Sequence, residues 1–133
     1  MRVVLRNPHA ADGRDFRHSL TVGGEYEVLG IECDSLRLLT DDGEPVLFDP
    51  ECFEITDPAE PAFWVEELPD EAERNAYPPG WGVPGFFEAW HDRMPLIRRV
   101  FAVQCAAWYP GTQRPAEPAA AADPPSKPGG LLS

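Results

Sequence analysis

Between Leu20 and Asp57 the chain reverses direction every few residues, and that rhythm limits the fold more than any other feature. The stretch reads LTVGGEYEVLGIECDSLRLLTDDGEPVLFDPECFEITD. Tyr26, Val28 and Gly30 alternate with Glu25, Glu27 and Leu29, which predicts one half-buried strand from about Glu25 to Glu32. Cys33-Asp34-Ser35 is a short polar break. Leu36, Leu38 and Thr40 then alternate with Arg37 and Leu39 in a second strand. Asp41-Asp42-Gly43 closes a hairpin, because Asp tolerates turn geometry and Gly takes positive φ at no steric cost. Pro45 opens the next strand, Val46-Leu47-Phe48, where its missing N–H does least harm. Asp49 as N-cap and Pro50 at the first helical position predict a single helical turn to Cys52. Phe53-Glu54-Ile55 is a short closing strand, stopped by Asp57-Pro58.

Upstream, Val3-Val4-Leu5 make a first or edge strand, and Asn7 to Asp15 read as an irregular loop. Leu20 plugs one end of the structure, and Thr21-Val22-Gly23-Gly24 turn into the long strand. Downstream, Asp57 to Pro61 form a stiff acidic connector, after which Phe63-Trp64-Val65 fold back on the core. Glu66 to Arg74 carry weak regular structure at best. Residues 75–85, NAYPPGWGVPG, hold three prolines and three glycines. They exclude a helix or a central strand and predict a strap over the rest. Tyr77 and Trp81 then either pack beneath the strap or present an aromatic surface to a partner. Phe86 to Arg93 form a short helix with Phe86, Phe87 and Trp90 on one face. Pro95 opens a second helix that packs through Leu96, Val100, Val103 and Ala107, with Ile97, Phe101 and Gln104 beside them. Arg98 and Arg99 face away or pair with acids, and a dimer seam is the alternative use of the apolar face. Six of the last 24 residues are proline, so Pro110 to Ser133 are expected to be disordered. The fold class is mainly β with C-terminal helices, α+β, in three parts: residues 1–57, 58–109 and 110–133.

The net charge of −12 is unevenly placed: residues 20–93 hold nineteen acids against three arginines. Such a surface repels phosphate backbones, which argues against direct nucleic-acid binding, and it speeds the approach of a basic protein. A solvated face that only confers solubility is the plain alternative. No apolar run is long enough to span a membrane and the N-terminus lacks a leader pattern, so a cytoplasmic protein is expected. Cys33, Cys52 and Cys105 form no CxxC pair and read as free buried thiols behaving as small hydrophobes, with a metal or redox site as the alternative. His9 and His18 lack partners at metal-ligand spacing. Asp41, Asp42 and Glu44 resemble half of a calcium loop that is never completed. Ser19 and Ser35 stand outside any nucleophile motif, Cys105 has no charged activator, and Gly23-Gly24 are not followed by a phosphate loop. Neither a cofactor nor a metal is implied, and the chain does not read as an enzyme.

Two long strands, a tight hairpin, one helical turn and a closing strand resemble the Src-homology-3-like barrel. The residues that carry the likeness are Leu20-Thr21-Val22-Gly23 before Tyr26, the Asp-Asp-Gly hairpin, and the Asp49–Cys52 turn before Phe53. Taken over residues 20–92, the order of LTVGGEYEVLGIE, DDGEPVLFDPECFEI, the Pro-broken acidic connector and PGFFEAW resembles small bacterial proteins of the toxin–immunity type. That resemblance implies a non-catalytic inhibitor that binds one cognate toxin, often a basic nuclease; the chain itself is expected to be a monomer or weak dimer. Its expected contact residues are Asp34, Asp41, Asp42, Glu44, Asp49 and Glu51, with Tyr77 and Trp81 as anchors. A structural or regulatory barrel docked in an assembly through its helical face is the competing expectation.

Overall fold

The computed structural model describes residues 1–67 and 73–112. The chain divides into two compact units, Met1–Val100 and Phe101–Ser133.

Among its described residues the first unit holds eight strands and a short helix, besides 3-10 turns and the start of a longer helix: β1 (Arg2–Leu5), β2 (Glu25–Glu27), β3 (Gly30–Glu32), β4 (Ser35–Leu39), β5 (Pro45–Phe48), β6 (Phe53–Asp57), β7 (Val65–Glu67), β8 (Asn75–Tyr77) and α1 (Phe86–His91). All pairings are antiparallel. They give two sheets, a three-stranded one ordered β2-β1-β6 and a five-stranded one ordered β5-β4-β3-β8-β7. β1 is therefore the middle of its sheet and not an edge.

The single strand expected over residues 25–32 is two. The Val28 N–H donates to the Met1 carbonyl and the Leu29 N–H to the Arg37 carbonyl, so adjacent residues join opposite sheets. Alternation fails where the chain crosses: Val28 and Leu29 are both fully buried. No local residue signals this break, because it is made by partners elsewhere in the chain.

Pairing fixes the faces of the five-stranded sheet. Ile31 lies opposite both Leu36 and Ala76, and Leu36 opposite Phe48. Ile31, Leu36 and Phe48 join Val3, Leu5, Phe16, Leu20, Tyr26, Val28, Leu38 and Cys52 in one apolar cluster, with Trp64 packed at its margin. Phe16 meets Phe48 edge-on at 4.8 Å between ring centroids. Burial of this set is the main favourable term for the unit.

The other face of the sheet is covered as well. Gly30, Arg37 and Tyr77 lie there, and Phe87 of α1 packs on them, 5.3 Å from the Tyr77 ring. A side chain at Gly30 would run into that ring. Trp81, 1 % exposed, meets Phe87 edge-on and stacks on Phe86.

Several local expectations hold. The Asp49 carboxylate accepts from the Glu51 N–H and caps the turn Pro50–Cys52. Gly43 adopts φ 84° in the hairpin, and Leu39 lies opposite Pro45. The strap does not begin where it was expected. Asn75–Tyr77 form β8, an interior strand between β3 and β7, and the prolines start only at Pro78. Val65–Glu67 and Asn75–Tyr77 thus extend the five-stranded sheet.

Helix α2 runs Pro95–Trp108. Its buried residues are Phe101 and Cys105, while Leu96 and Val103 are 67 % and 64 % exposed. This inverts the expected face. The helix carries two apolar stripes, and its period alone cannot choose between them. Within the second unit, the Tyr109 N–H donates to the Cys105 carbonyl and Tyr109 is buried. Disorder is expected from Pro110, but Pro110–Thr112 form a 3-10 turn; the rest of that expectation lies outside the described residues. Among the described residues, no helix is long and apolar enough to cross a membrane.

Candidate functional site

The β4–β5 hairpin carries most of the expected contact residues, but at its two ends. Asp41, Asp42 and Glu44 form the tight end. Asp34 precedes β4, and Asp49 and Glu51 follow β5, so these three share the open end. Five residues of strand separate the ends, about 17 Å at the usual rise. The structure therefore builds two acidic clusters and not one.

Within each cluster some acids hold the fold together. Asp41 accepts from Tyr26 Oη at 2.8 Å and from Thr21 Oγ1 at 2.8 Å, occupying both carboxylate oxygens. Asp34 accepts from the Arg74 N–H at 2.8 Å. It also stands, with Cys33, at positive φ (65° and 49°) in a two-residue turn. Such a turn usually selects Asn and Gly. By contrast Asp42, Glu44 and Glu51 are exposed, and among the described residues none of them forms an ion pair.

Arginines offset part of this charge: from outside the acidic segment, Arg2 pairs with Glu25 and Glu27, and Arg6 with Glu54. Arg74 is held by Glu60 (Nη2 to Oε1, 2.6 Å) and Glu66 (Nε to Oε2, 2.7 Å). These bonds hold both carboxyls below the ordinary carboxylate range. Arg37 is 6 % exposed and spent internally: Nε donates to Tyr77 Oη, Nη1 to the Pro45 carbonyl and Nη2 to Glu32 Oε1, each at 3.0 Å. Its guanidinium lies 3.9 Å from the Phe87 ring centroid. Only Arg93, exposed after α1, is left of the three arginines in residues 20–93.

Tyr77 and Trp81 are not presented to solvent. They are 3 % and 1 % exposed, and Tyr77 Oη donates to Glu32 Oε1 at 2.7 Å. Burial raises the Tyr77 hydroxyl well above the ordinary tyrosine value, so it remains a neutral donor. Their bulk belongs to the packing under α1, and a role as exposed anchors does not fit these positions.

Sequence reasoning missed a cavity of ≈ 280 Å³ beside this network. It is lined by Glu32, Cys33, Asn75, Tyr77, Phe87 and Glu88, with the loop from Trp81 to Gly85 as a further wall. Cys52 and Cys105 are buried as expected of free thiols, but Cys33 is exposed, because it stands in the two-residue turn before β4. Desolvation, then the neighbouring Glu73 carboxylate, push its pKa up, so it is a poor nucleophile at neutral pH. The only sequence signal for the cavity is the glycine and proline density of residues 80–85, which keeps side chains out of that wall. Among the described residues, no three His, Cys, Asp or Glu side chains converge as a metal site. Comparison with family models, with curated proteins and with solved structures finds no match to the chain.

Proposed function

We propose that the chain is a non-catalytic protein-binding module, an immunity protein that neutralises a basic cognate toxin in the cytoplasm by covering its active surface with carboxylates. On this reading the two sheets are the halves of a Src-homology-3-like barrel, with residues 25–32 as the strand that passes from one to the other. The observation that carries the proposal is the uncompensated charge. Nineteen acids face three arginines in residues 20–93, and two of those arginines, Arg37 and Arg74, are tied up in internal pairs. Asp42, Glu44 and Glu51 remain exposed without an ion pair among the described residues. An acidic surface of this kind occupies the place where a basic nuclease holds phosphates, and it steers the encounter.

A tagged pull-down from the source cells, washed at low and then high salt, tests the reading. One basic protein released by salt is the expected outcome. Binding indifferent to ionic strength overturns the electrostatic basis. The exposure of Leu96 and Val103 on α2 favours a second reading, a structural or regulatory module docked through that helix. Under it, Val103→Asp abolishes association while charge reversal of Asp42 and Glu44 does not.

A further inference from the structure

We infer that the cavity between the β3–β4 turn and the loop entering α1 is a receptor for a single basic side chain of the protein partner, arginine in preference to lysine. The inference rests on the reading of the chain as an acidic binding module and gives that module a specific socket.

Size comes first. At ≈ 280 Å³ the cavity falls just under the usual range for small-molecule sites, about 300–1,000 Å³, and suits one inserted side chain. Its chemistry follows from the walls. Glu32 Oε1 takes both internal bonds, from Arg37 and Tyr77, and among the described residues Oε2 takes none. Glu88, which also lines the cavity, is exposed and its carboxylate has no ion pair or hydrogen bond among the described residues. Asn75 uses Oδ1 to accept from the Cys33 N–H at 2.9 Å, which leaves its amide hydrogens aimed elsewhere. Tyr77 and Phe87, 3 % and 5 % exposed, complete the lining.

Charge then decides the sign of the occupant. Arg37 places one positive charge nearby, 3.9 Å from the centroid of the Phe87 ring that lines the cavity. Against it stand Glu32, Glu88 and the Glu73 carboxylate beside Cys33. The nearby Arg74 is already neutralised by Glu60 and Glu66. The balance is negative, so an anion is repelled and a cation attracted. Arginine is favoured over lysine because its planar fork presents five donors to the carboxylates of Glu32 and Glu88 that line the cavity. It is also more weakly hydrated than an ammonium, so it enters a half-enclosed site more readily.

Nuclear magnetic resonance titration of the full chain tests this without knowledge of the partner. The probes are N-acetyl-arginine amide, its lysine counterpart and the neutral isostere N-acetyl-citrulline amide. Expected are saturable shifts at Cys33, Asn75, Gly82 and Gly85 with arginine, weaker ones with lysine and none with citrulline. Glu88→Gln, on an exposed helix position with no partner to lose, weakens the arginine response about tenfold at unchanged stability. Equal responses to arginine and citrulline, no localised shifts, or an unaltered response in Glu88→Gln each overturn the socket. The same variant separates this inference from the reading beneath it. If Glu88→Gln captures the salt-released basic protein with undiminished affinity, the socket fails and the module stands. If the native chain captures no basic protein, the module fails, and the amide titration still decides the socket.

Discussion

Replacing one member of the Arg37–Glu32 pair is predicted to cost very different amounts depending on which member is removed. Breaking a buried ion pair by deleting one partner typically costs about 3–5 kcal/mol, because the survivor is left charged and dry. Here the two partners differ in access to water: the Arg37 side chain is 7 % exposed and that of Glu32 39 %. Arg37→Met keeps the aliphatic stem and removes the guanidinium. The orphans it leaves are mild. Glu32 rehydrates and keeps its bond from Tyr77, and the Pro45 carbonyl keeps His91 Nε2 at 3.0 Å. What is lost is the contact with the Phe87 ring and one round of charge-assisted bonds, about 2 kcal/mol. Glu32→Leu strands a guanidinium that cannot reach water, so the full penalty applies, at least about 3 kcal/mol. Urea unfolding followed by tryptophan fluorescence and far-ultraviolet circular dichroism, with equal m values, measures both. On heating, Arg37→Met loses about 10 °C at the midpoint, taking ~5 °C per kcal/mol for a domain near this size. If Arg37→Met proves the costlier change, or if Glu32→Leu costs under about 1 kcal/mol, the assignment of solvent access as the deciding factor is wrong.

Three further outcomes follow from the geometry. Asp41→Ala strips Tyr26 and Thr21 of their acceptors and lowers stability by about 1–2 kcal/mol, while Asp42→Ala, which loses no bond among the described residues, stays within about 0.5 kcal/mol; chemical denaturation of the two side by side checks the contrast. Gly30→Ala drives a methyl into the Tyr77 ring and the Ala76 carbonyl, costs about 3 kcal/mol, and disturbs the Tyr77 and Phe87 resonances before any others. Glu60 and Glu66 have folded-state pKa values depressed by Arg74, so their contribution is complete above the ordinary carboxylate pKa and is lost as pH falls through the lower folded value. The urea midpoint therefore drops below about pH 4, less so in Arg74→Ala; a midpoint that is flat or still rising at pH 3 contradicts the pairing.

The parts of this fold legible from sequence are those made by neighbours along the chain. Asp41 to Gly43, Pro45, and Asp49-Pro50 each satisfy a local backbone demand, and each occupies the position expected of it. What was hidden depends on distant partners. The crossing at Val28–Leu29 is made by Met1 and Arg37. β8 is a strand because Ala76 finds Ile31, in spite of the prolines that follow it. On α2 two stripes competed, and Phe101 with Cys105 took the interior over Leu96 and Val103. The excess of acid was visible at once. Which acids were free was not, because Arg37 meets Tyr77 across 40 residues and Tyr77 meets Glu32 across 45.

The crossing also bears on how the first unit opens. The amides of Val28 and Leu29 are consecutive, yet one is closed by the β1 side and the other by β4. Exposing either to deuterium requires the shared backbone to leave both pairings. Their exchange should therefore report a single opening free energy, equal to that of global unfolding, even where the outer strand β7 exchanges by local fraying. Two sheets tied at a peptide bond then behave as one cooperative unit, and a destabilising change in either is felt in full by the other.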